Sequence, residues 1–314
     1  MTTTDGQVSR RAVLGMGAGT ALVAALSVIG PTRAASTAPQ QGGDVTRALA
    51  DLEHEHGARL GVFARNTVTG AQVLHRAHEL FPLCSVHKIV TAAAVLRDLD
   101  RDGTFLARRI HYTDQDVAEA GYAPITGTPD HLAAGMTIAE LCAAALDHSD
   151  NAADNLLLRE LGGPAAVTRF CRSIGDGVTR LDRWEPALNS AEPERVTDTT
   201  TPAAIARTLT DLVLGAALAP SDRRQLTAWL RANTTGAARL RAGLPPPWTL
   251  ADKTGTGAYG TTNDVGIAWT ADGTPLVLSV LSTKPDADAA ADEPLIARAA
   301  ALLAPALGRR PAVG

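Results

Sequence analysis

Residues 248–282 read WTLADKTGTGAYGTTNDVGIAWTADGTPLVLSVLS, and this stretch decides the fold. Its β-branched and apolar residues, interrupted by glycine-rich turns, predict three strands, at residues 248–253, 264–270 and 275–282. Two more strands are predicted near the other end of the chain, at residues 59–66 and 71–76. Strands at both ends, with none predicted between them, imply a sheet assembled from the two termini.

The residues between these strands have helical periodicity. Apolar residues three and four positions apart, together with capping signals, predict helices at residues 84–100, 137–147 and 151–161, and Thr201-Pro202 and Ser221 cap two more. Terminal helices are predicted at residues 44–55, with Asp44 as N-cap, and at 293–307. The predicted fold is therefore α+β. An antiparallel sheet flanked by helices (about 44–76 and 230–314) joins an all-helical lobe (about 77–229), and the active site lies between them in a single domain, residues 44–314.

The N-terminus predicts an export signal. Ser9-Arg10-Arg11 is a twin-arginine start, an apolar run follows to about Gly30, and small residues near Ala34-Ala35 suit cleavage. The alternative is one membrane anchor, but the Gly, Ala and Ser content makes the run weakly hydrophobic. We therefore expect residues 1–35 to be a signal peptide and 36–43 a flexible leader. The mature protein is expected outside the cell or in the periplasm or cell envelope, with no stable membrane association.

Composition limits the partners and the redox chemistry. The 314 residues carry a formal net charge of −4 and are 45% hydrophobic, which suits a large core and lacks the basic surface that nucleic acid requires. The three cysteines, Cys84, Cys142 and Cys171, cannot all pair within one chain. We expect them to be small buried apolar residues. The protein is expected to be a monomer.

Two sequence patterns resemble a cofactor-binding or metal-binding motif, but neither has the features that such a site requires. Gly255-x-Gly257-x-x-Gly260 matches a dinucleotide fingerprint, but residues 261–269 predict a strand where a helix N-terminus would have to hold the pyrophosphate. His54-Glu55-His56 lacks the i, i+4 spacing and a third ligand. The sequence therefore predicts no cofactor and no metal.

Lysine is rare, at Lys88, Lys253 and Lys284 only, although lysine and arginine together number 29. An amine can release its proton in a protein, whereas a guanidinium cannot. Lys88 ends an S-x-x-K motif whose serine, Ser85, lies where a loop becomes a helix. The spacing places both side chains on one face, and the helix N-terminus favours a developing oxyanion. The alternative for Ser85 is a plain N-cap.

Two further motifs accompany this one. Lys253-Thr254-Gly255 is expected where an edge strand ends beside a cleft, and Gly255 lets a ligand approach the backbone. Ser149-Asp150-Asn151 lies between two predicted helices, where ordinary capping is the alternative. Each motif alone is weak, but Ser149 follows Ser85 by 64 residues and Lys253 follows Ser149 by 104, in a chain with almost no other lysine. This combination favours nucleophilic chemistry at Ser85.

Together the motifs resemble those of the class A serine β-lactamases, from about Asp44 to Leu307. The most specific likeness lies in residues 175–200, which lack any period and predict a long functional loop. Within it, RLDRWEPALN (residues 180–189) resembles the family's Ω loop. The resemblance implies that Glu185 is the deacylating base and that Asn189 helps to hold the hydrolytic water. It also implies an ion pair between Arg183 and Asp198, and a cis bond before Pro186.

The same resemblance implies a substrate cleft. Tyr122 would form an aromatic wall, Asn151 would bind the acylamino side chain, and Ser149 would relay a proton to the leaving nitrogen. The substrate carboxylate would be bound by Thr254, Thr256 and Arg239, of which Arg239 is expected on a helix. Lys253 would keep this network electropositive, and Gly255 would let the substrate approach the backbone. Some carbapenem-hydrolysing relatives tie the cysteine before the nucleophile to a second cysteine. Here Gly257 stands at that second position, so Cys84 has no such partner.

The implied reaction is hydrolysis of the β-lactam amide of penicillins and cephalosporins through a serine acyl-enzyme. Ser85 attacks after activation by Lys88, by Glu185 through water, or by both. Backbone N–H groups of Ser85 and Thr256 would form the oxyanion hole. Two alternatives share the short motifs: a D-alanyl-D-alanine carboxypeptidase or transpeptidase, and a non-catalytic β-lactam sensor. Neither is expected to carry the base Glu185 with Asn189.

Overall fold

The computed structural model describes residues 38–308. One antiparallel sheet contains β1 (Arg59–Asn66), β2 (Gln72–His75), β7 (Thr249–Thr256), β8 (Thr262–Trp269) and β9 (Pro275–Thr283), in the spatial order β2-β1-β9-β8-β7. The short strands β3 (Phe81–Pro82) and β6 (Thr199–Thr200) pair with each other, as do β4 (Arg109–Ile110) and β5 (Met136–Thr137). The predicted antiparallel sheet built from both ends of the chain is confirmed.

Helices occupy both faces of this sheet. They are α1 (Ala38–Glu55), α2 (Lys88–Ala94), α3 (Asp114–Ala120), α4 (Pro129–Ala134), α5 (Ile138–Asp147), α6 (Asn151–Leu161), α7 (Ala165–Ser173), α8 (Pro202–Val213), α9 (Pro220–Arg231), α10 (Leu240–Gly243) and α11 (Glu293–Leu307). Three 3₁₀ helices lie at Cys84–His87, Phe105–Ala107 and Ala187–Ser190, and a π-helical turn at Val95–Leu99 extends α2. The α+β class is therefore confirmed.

Alternating side chains of the strands pack into two separate hydrophobic cores, one on each face of the sheet. In β1, Leu60 and Val62 face α1 and α11, whereas Phe63 faces the helices of the other lobe. Strand β9 alternates in the same way, with Leu278 on the first face and Leu281 on the second. Each fully buried aliphatic side chain of this kind contributes about 1.5–3 kcal/mol. The sheet is thus fixed from both sides, and its edge strand β7 faces the cleft.

Several predicted boundaries are wrong. Helix α1 begins at Ala38, inside the predicted leader, because alanine and glutamine favour helix and Pro39 is tolerated in a first turn. Ser221 does not cap α9, because Pro220 occupies the first turn and Ala219 is the N-cap. Strand β7 continues past Lys253 to Thr256, because its pairing partner β8 begins at Thr262.

The predicted signal peptide, residues 1–35, and the first two residues of the predicted leader lie outside the described part of the chain. Within residues 38–308, no helix combines the length and the apolar character that spanning a membrane would take. Cys84, Cys142 and Cys171 are all buried, as predicted, and all three are free. A strand, β8, follows the glycine-rich turn after β7, so the dinucleotide fingerprint is a false match.

Candidate active site

The predicted site residues meet in one place, at the edge of β7 beside the N-terminus of α2. A cleft of about 320 Å³ is lined by Ser85, Tyr122, Ser149, Asn151, Asn189, Thr235, Arg239, Thr254, Gly255 and Thr256. Lys88, Glu185 and Lys253 lie directly behind this lining and are almost completely buried. Residues from six separate stretches of sequence therefore form a single pocket around Ser85.

Ser85 faces a buried pair of opposite charges. Its Oγ donates to Glu185 Oε1 over 3.4 Å, and Lys88 Nζ lies 3.1 Å from the same oxygen. Lys88 Nζ also donates to the backbone oxygen of Ser149 (2.8 Å) and to Asn151 Oδ1 (2.7 Å). An ammonium has three N–H groups, and here each has an acceptor. The ammonium is thus held in place, with its charge beside the carboxylate that Ser85 contacts.

Ser149 connects the cleft to the second buried lysine. Its backbone has a φ of 59°, in the left-handed region that side chains seldom adopt, and Lys253 Nζ donates to its Oγ over 3.0 Å. Burial lowers the pKa of Lys253 to about 7, and the neighbouring charges of Lys88 and Arg239 act in the same direction. Lys253 can therefore gain and lose a proton near neutral pH, and its Nζ lies next to the Ser149 hydroxyl.

The middle residue of the S-D-N motif is structural. Asp150 is the N-cap of α6 and accepts from the backbone N–H of Ala153 at 2.8 Å. Its carboxylate also accepts from the N–H groups of Ile125 and Thr126, both at 2.9 Å. It therefore ties α6 to the segment that carries Tyr122, whose side chain is 55% exposed at the cleft. The capping alternative holds for Asp150, while its two neighbours face the cleft.

The long loop (residues 175–200) delivers Glu185 to this pocket. Asn189 Nδ2 donates to Glu185 Oε2 over 2.5 Å, and Arg183 Nε lies 2.6 Å from Asp198 Oδ2. The predicted ion pair is confirmed, as is the cis peptide bond between Glu185 and Pro186. Asn189 Oδ1 is buried without a hydrogen-bond partner among the described residues. That oxygen is available to accept from a water beside Glu185.

Two residues that support the site were not identified from the sequence. Asn155 holds the backbone of Glu185 from both sides, since its Nδ2 donates to the Glu185 oxygen (2.9 Å) and its Oδ1 accepts from the Glu185 N–H (3.1 Å). Thr235 Oγ1 lies 2.5 Å from Thr254 Oγ1. The spacing of Asn155, one helical turn after Asn151 on the same face, is the signal that could have identified it.

Arg239 lies just before helix α10 and not within a helix, so that expectation is wrong. Its guanidinium donates to the backbone oxygens of Gly255 and Asn263, both at 2.9 Å, and to Thr256 Oγ1 at 2.7 Å. Glu293 Oε1 accepts from Nε at 3.2 Å. A planar fork with five donors can hold several acceptors at once, and here it supports the cleft edge of β7.

One group in the described part of the chain could in principle hold a metal: His87, Asp154 and Glu185, whose ligand atoms lie within 4.8 Å of one another. However, His87 Nδ1 lies 2.7 Å from the Cys84 oxygen and Nε2 lies 2.8 Å from Asp154 Oδ2. Both partners are acceptors, so both ring nitrogens carry protons and neither offers a lone pair. The group does not suit a metal.

Comparisons with known proteins agree with this geometry. A model of the β-lactamase enzyme family matches residues 44–307. A β-lactamase of Streptomyces lavendulae is 62% identical over 98% of this chain and 100% of its own length. The solved β-lactamase from Streptomyces albus G superimposes with a TM-score of 0.84, at 62% identity over 84% of this chain and all of that one. A β-lactamase structure from Desulfarculus baarsii gives a TM-score of 0.82 at 47% identity, over 86% of this chain and 99% of that one. The chain belongs to the β-lactamase enzyme family.

Proposed function

We propose that this protein hydrolyses the β-lactam amide of penicillins and cephalosporins through an acyl-enzyme on Ser85, and that this reaction confers resistance on its host. The observation that carries the proposal is the position of Glu185. One of its oxygens contacts the nucleophile and the Lys88 ammonium, and the other is held by Asn189. The two rival functions require acylation but not a second base over the same serine.

Acylation begins at the buried pair. The Ser85 hydroxyl donates to Glu185, so the carboxylate takes up the serine proton, and the Lys88 amine beside it exchanges protons with that carboxyl group. The bond from Ser85 Oγ to the lactam carbonyl carbon forms while the carbon–nitrogen bond breaks. Negative charge on the carbonyl oxygen is met by the N–H groups of Ser85 and Thr256.

The leaving nitrogen receives its proton from Ser149. The Ser149 hydroxyl regains a proton from Lys253, 3.0 Å away, whose pKa of about 7 allows the transfer. Before deacylation the Glu185–Lys88 pair releases the proton taken from Ser85 and Lys253 takes one up again, so that Glu185 is once more a carboxylate. The ring-opened substrate stays bound through its carboxylate, which meets the hydroxyls of Thr254 and Thr256 and the positive field of Lys253 and Arg239. Arg239 reaches that carboxylate beside Thr256, whose hydroxyl it holds. Asn151 and Tyr122 bind the rest of the substrate.

Deacylation then uses Glu185. A water that donates to Asn189 Oδ1 and to the Glu185 carboxylate is directed at the ester carbonyl, and Glu185 removes its proton as the new bond forms. The ester bond to Ser85 breaks, the product acid leaves, and the proton returns to Ser85. Asn155 holds the backbone of Glu185 throughout, so the base needs no reorganisation.

Glu185→Ala tests the function directly. General-base catalysis contributes roughly 10²–10⁴-fold, so this variant should react once with a penicillin and then stall. Intact-protein mass spectrometry should show one penicilloyl group on Ser85 that persists for minutes or longer. Glu194→Ala, which changes an exposed glutamate of the same loop, is the control and should turn over normally. Wild-type turnover by Glu185→Ala would show that the long loop does not carry the base.

We also propose that the protein is exported by the twin-arginine route and acts as a monomer outside the cytoplasm. The twin arginines Arg10-Arg11, the apolar run after them and the small residues near Ala34-Ala35 support the route. Three buried free cysteines also suit a protein that folds before export. Replacing both arginines by lysine should retain the protein inside the cell, and fractionation would measure it.

A further inference from the structure

His87 lies inside the S-x-x-K motif but is turned away from the cleft and is fully buried. Its Nδ1 donates to the backbone oxygen of Cys84 over 2.7 Å, and its Nε2 donates to Asp154 Oδ2 over 2.8 Å. Because both partners accept, the ring carries two protons and a positive charge. A buried imidazolium therefore binds the carbonyl of the residue that precedes the nucleophile.

That carbonyl belongs to the peptide bond that supplies the Ser85 N–H. A peptide unit is planar and trans, so its carbonyl and its N–H point in opposite directions. When His87 fixes the Cys84 carbonyl, the Ser85 N–H is directed away from the buried ring. This N–H begins a helix and has no acceptor within it, so it is available to an oxyanion.

The peptide needs such support. Cys84 has a φ of 46°, in the left-handed region that residues with side chains seldom adopt. The peptide that joins Cys84 to Ser85 therefore follows an unfavourable backbone conformation at the first residue of the 3₁₀ helix. A hydrogen bond from a charged donor is roughly twice as strong as one from a neutral donor.

The charged groups around His87 stabilise its protonated form. Asp154 faces it from α6, Glu185 from the long loop and Lys88 from α2. Burial works against the imidazolium, and Lys88 opposes it too, but the two carboxylates outweigh both and raise the pKa of His87. Burial likewise opposes the Asp154 carboxylate, but His87 holds the pKa of that group below its usual value. The pair is therefore ionic at neutral pH.

We infer that the His87–Asp154 pair positions the Ser85 N–H for the oxyanion that forms in both acylation and deacylation. The inference rests on the proposed function. His87 does not touch the substrate and acts only through the Cys84–Ser85 peptide, so it is a positioning residue. An apolar ring could fill its space but could not bind the carbonyl.

The test is the double variant His87→Phe/Asp154→Ala, which removes both charges together and strands neither. Loss of one oxyanion-hole donor costs roughly 10²–10³-fold, so a donor that remains but is misaligned should cost about 10–100-fold in the acylation rate with a chromogenic cephalosporin. The inhibition constant of phenylboronic acid, whose tetrahedral adduct on Ser85 places an oxygen in the same position, should rise by a similar factor. A role in packing alone would lower the melting temperature without this parallel change.

Cys171→Ala is the matched control, because it removes volume from the same core without contacting the Cys84 carbonyl. If the double variant fails to fold, Asp154→Asn gives the answer with almost no change in shape. It should lower the acylation rate and raise the boronate inhibition constant by a common factor. A folded variant of either kind that acylates within twofold of wild type would overturn the inference.

Failure of the proposed function has a different signature. If Glu185→Ala in an otherwise wild-type chain never forms an adduct on Ser85, the acyl-enzyme itself is wrong. If the adduct forms but the His87 and Asp154 variants acylate at the wild-type rate, only the positioning role is wrong.

Discussion

Asp198→Ala should loosen the long loop that carries Glu185. The Asp198 side chain is 1% exposed and accepts three hydrogen bonds. One oxygen accepts from the backbone N–H groups of Asp182 (2.7 Å) and Arg183 (3.0 Å), and the other accepts from Arg183 Nε (2.6 Å). The substitution removes all three acceptors together, at the point where the two ends of the loop meet.

The loss in free energy of unfolding follows from the donors that Asp198→Ala leaves without an acceptor. Each buried N–H left without an acceptor costs about 1–3 kcal/mol. The Arg183 side chain is 25% exposed, so water partly compensates its charge, and its share falls below that of a fully buried pair. We expect a total of about 3–5 kcal/mol, near the range for breaking a buried ion pair. Asp198→Asn keeps an oxygen for both backbone N–H groups but replaces the oxygen that accepts from Arg183 Nε by an amide NH2, so it should cost about 1.5–3 kcal/mol.

Thermal melting and two steady-state assays would measure this. In a domain of this size each kcal/mol lowers the melting temperature by about 2–4 °C, so Asp198→Ala should melt well below Asp198→Asn. The kcat/KM for a bulky cephalosporin should rise relative to that for a penicillin, because a loosened loop opens the cleft. Unchanged melting together with an unchanged substrate ratio would contradict the role given to this pair.

Further predictions concern the buried cations. Lys88→Arg keeps the charge but cannot give up a proton and act as a base, so the acylation burst should nearly disappear in a folded protein. A near-normal burst would exclude proton transfer by Lys88. Arg239→Ala should raise KM for penicillins more than it lowers kcat, by about 1.5–3 kcal/mol, and an unchanged KM would place the carboxylate elsewhere. Above about pH 6.5 the folded state keeps a proton on His87 that the unfolded chain releases. Between that pH and the pKa of His87 in the folded protein, the free energy of unfolding in urea should fall by about 1.4 kcal/mol per pH unit relative to that of His87→Phe/Asp154→Ala. Parallel pH profiles of the two proteins would contradict the charged pair.

The sequence predicted those parts of the site whose geometry is local. Ser85 and Lys88 lie three residues apart on a helix, so their shared face follows from helical geometry alone. The K-T-G segment was predictable because strand periodicity leads directly into it. Within each motif the geometry is set by neighbouring residues, and the fold needs only to bring the two motifs together.

The remainder depended on contacts between distant residues. Asn155 supports Glu185 from 30 positions away in the chain, so its spacing from Asn151 could mark it as a site residue but not as the partner of Glu185. The end of β7 at Thr256 is set by pairing with Thr262 in β8, which the sequence of β7 does not encode. Arg239 was predicted to lie on a helix, because the sequence alone does not show that its acceptors are backbone oxygens of β7 and β8.

Two of the three lysines lie where a guanidinium could not replace the amine. Lys88 and Lys253 are both fully buried beside the cleft. Lys284 lies elsewhere, and its Nζ is 2.8 Å from Asp292 Oδ2. Burial lowers the pKa of an amine, as it does for Lys253 to about 7, whereas a guanidinium stays charged. An arginine in place of Lys253 would supply the same field to the substrate carboxylate but could not recharge Ser149. Under the proposed mechanism the cation behind Ser149 must therefore be an amine, whereas Arg239, which donates to Thr256 and to the substrate carboxylate, need not be.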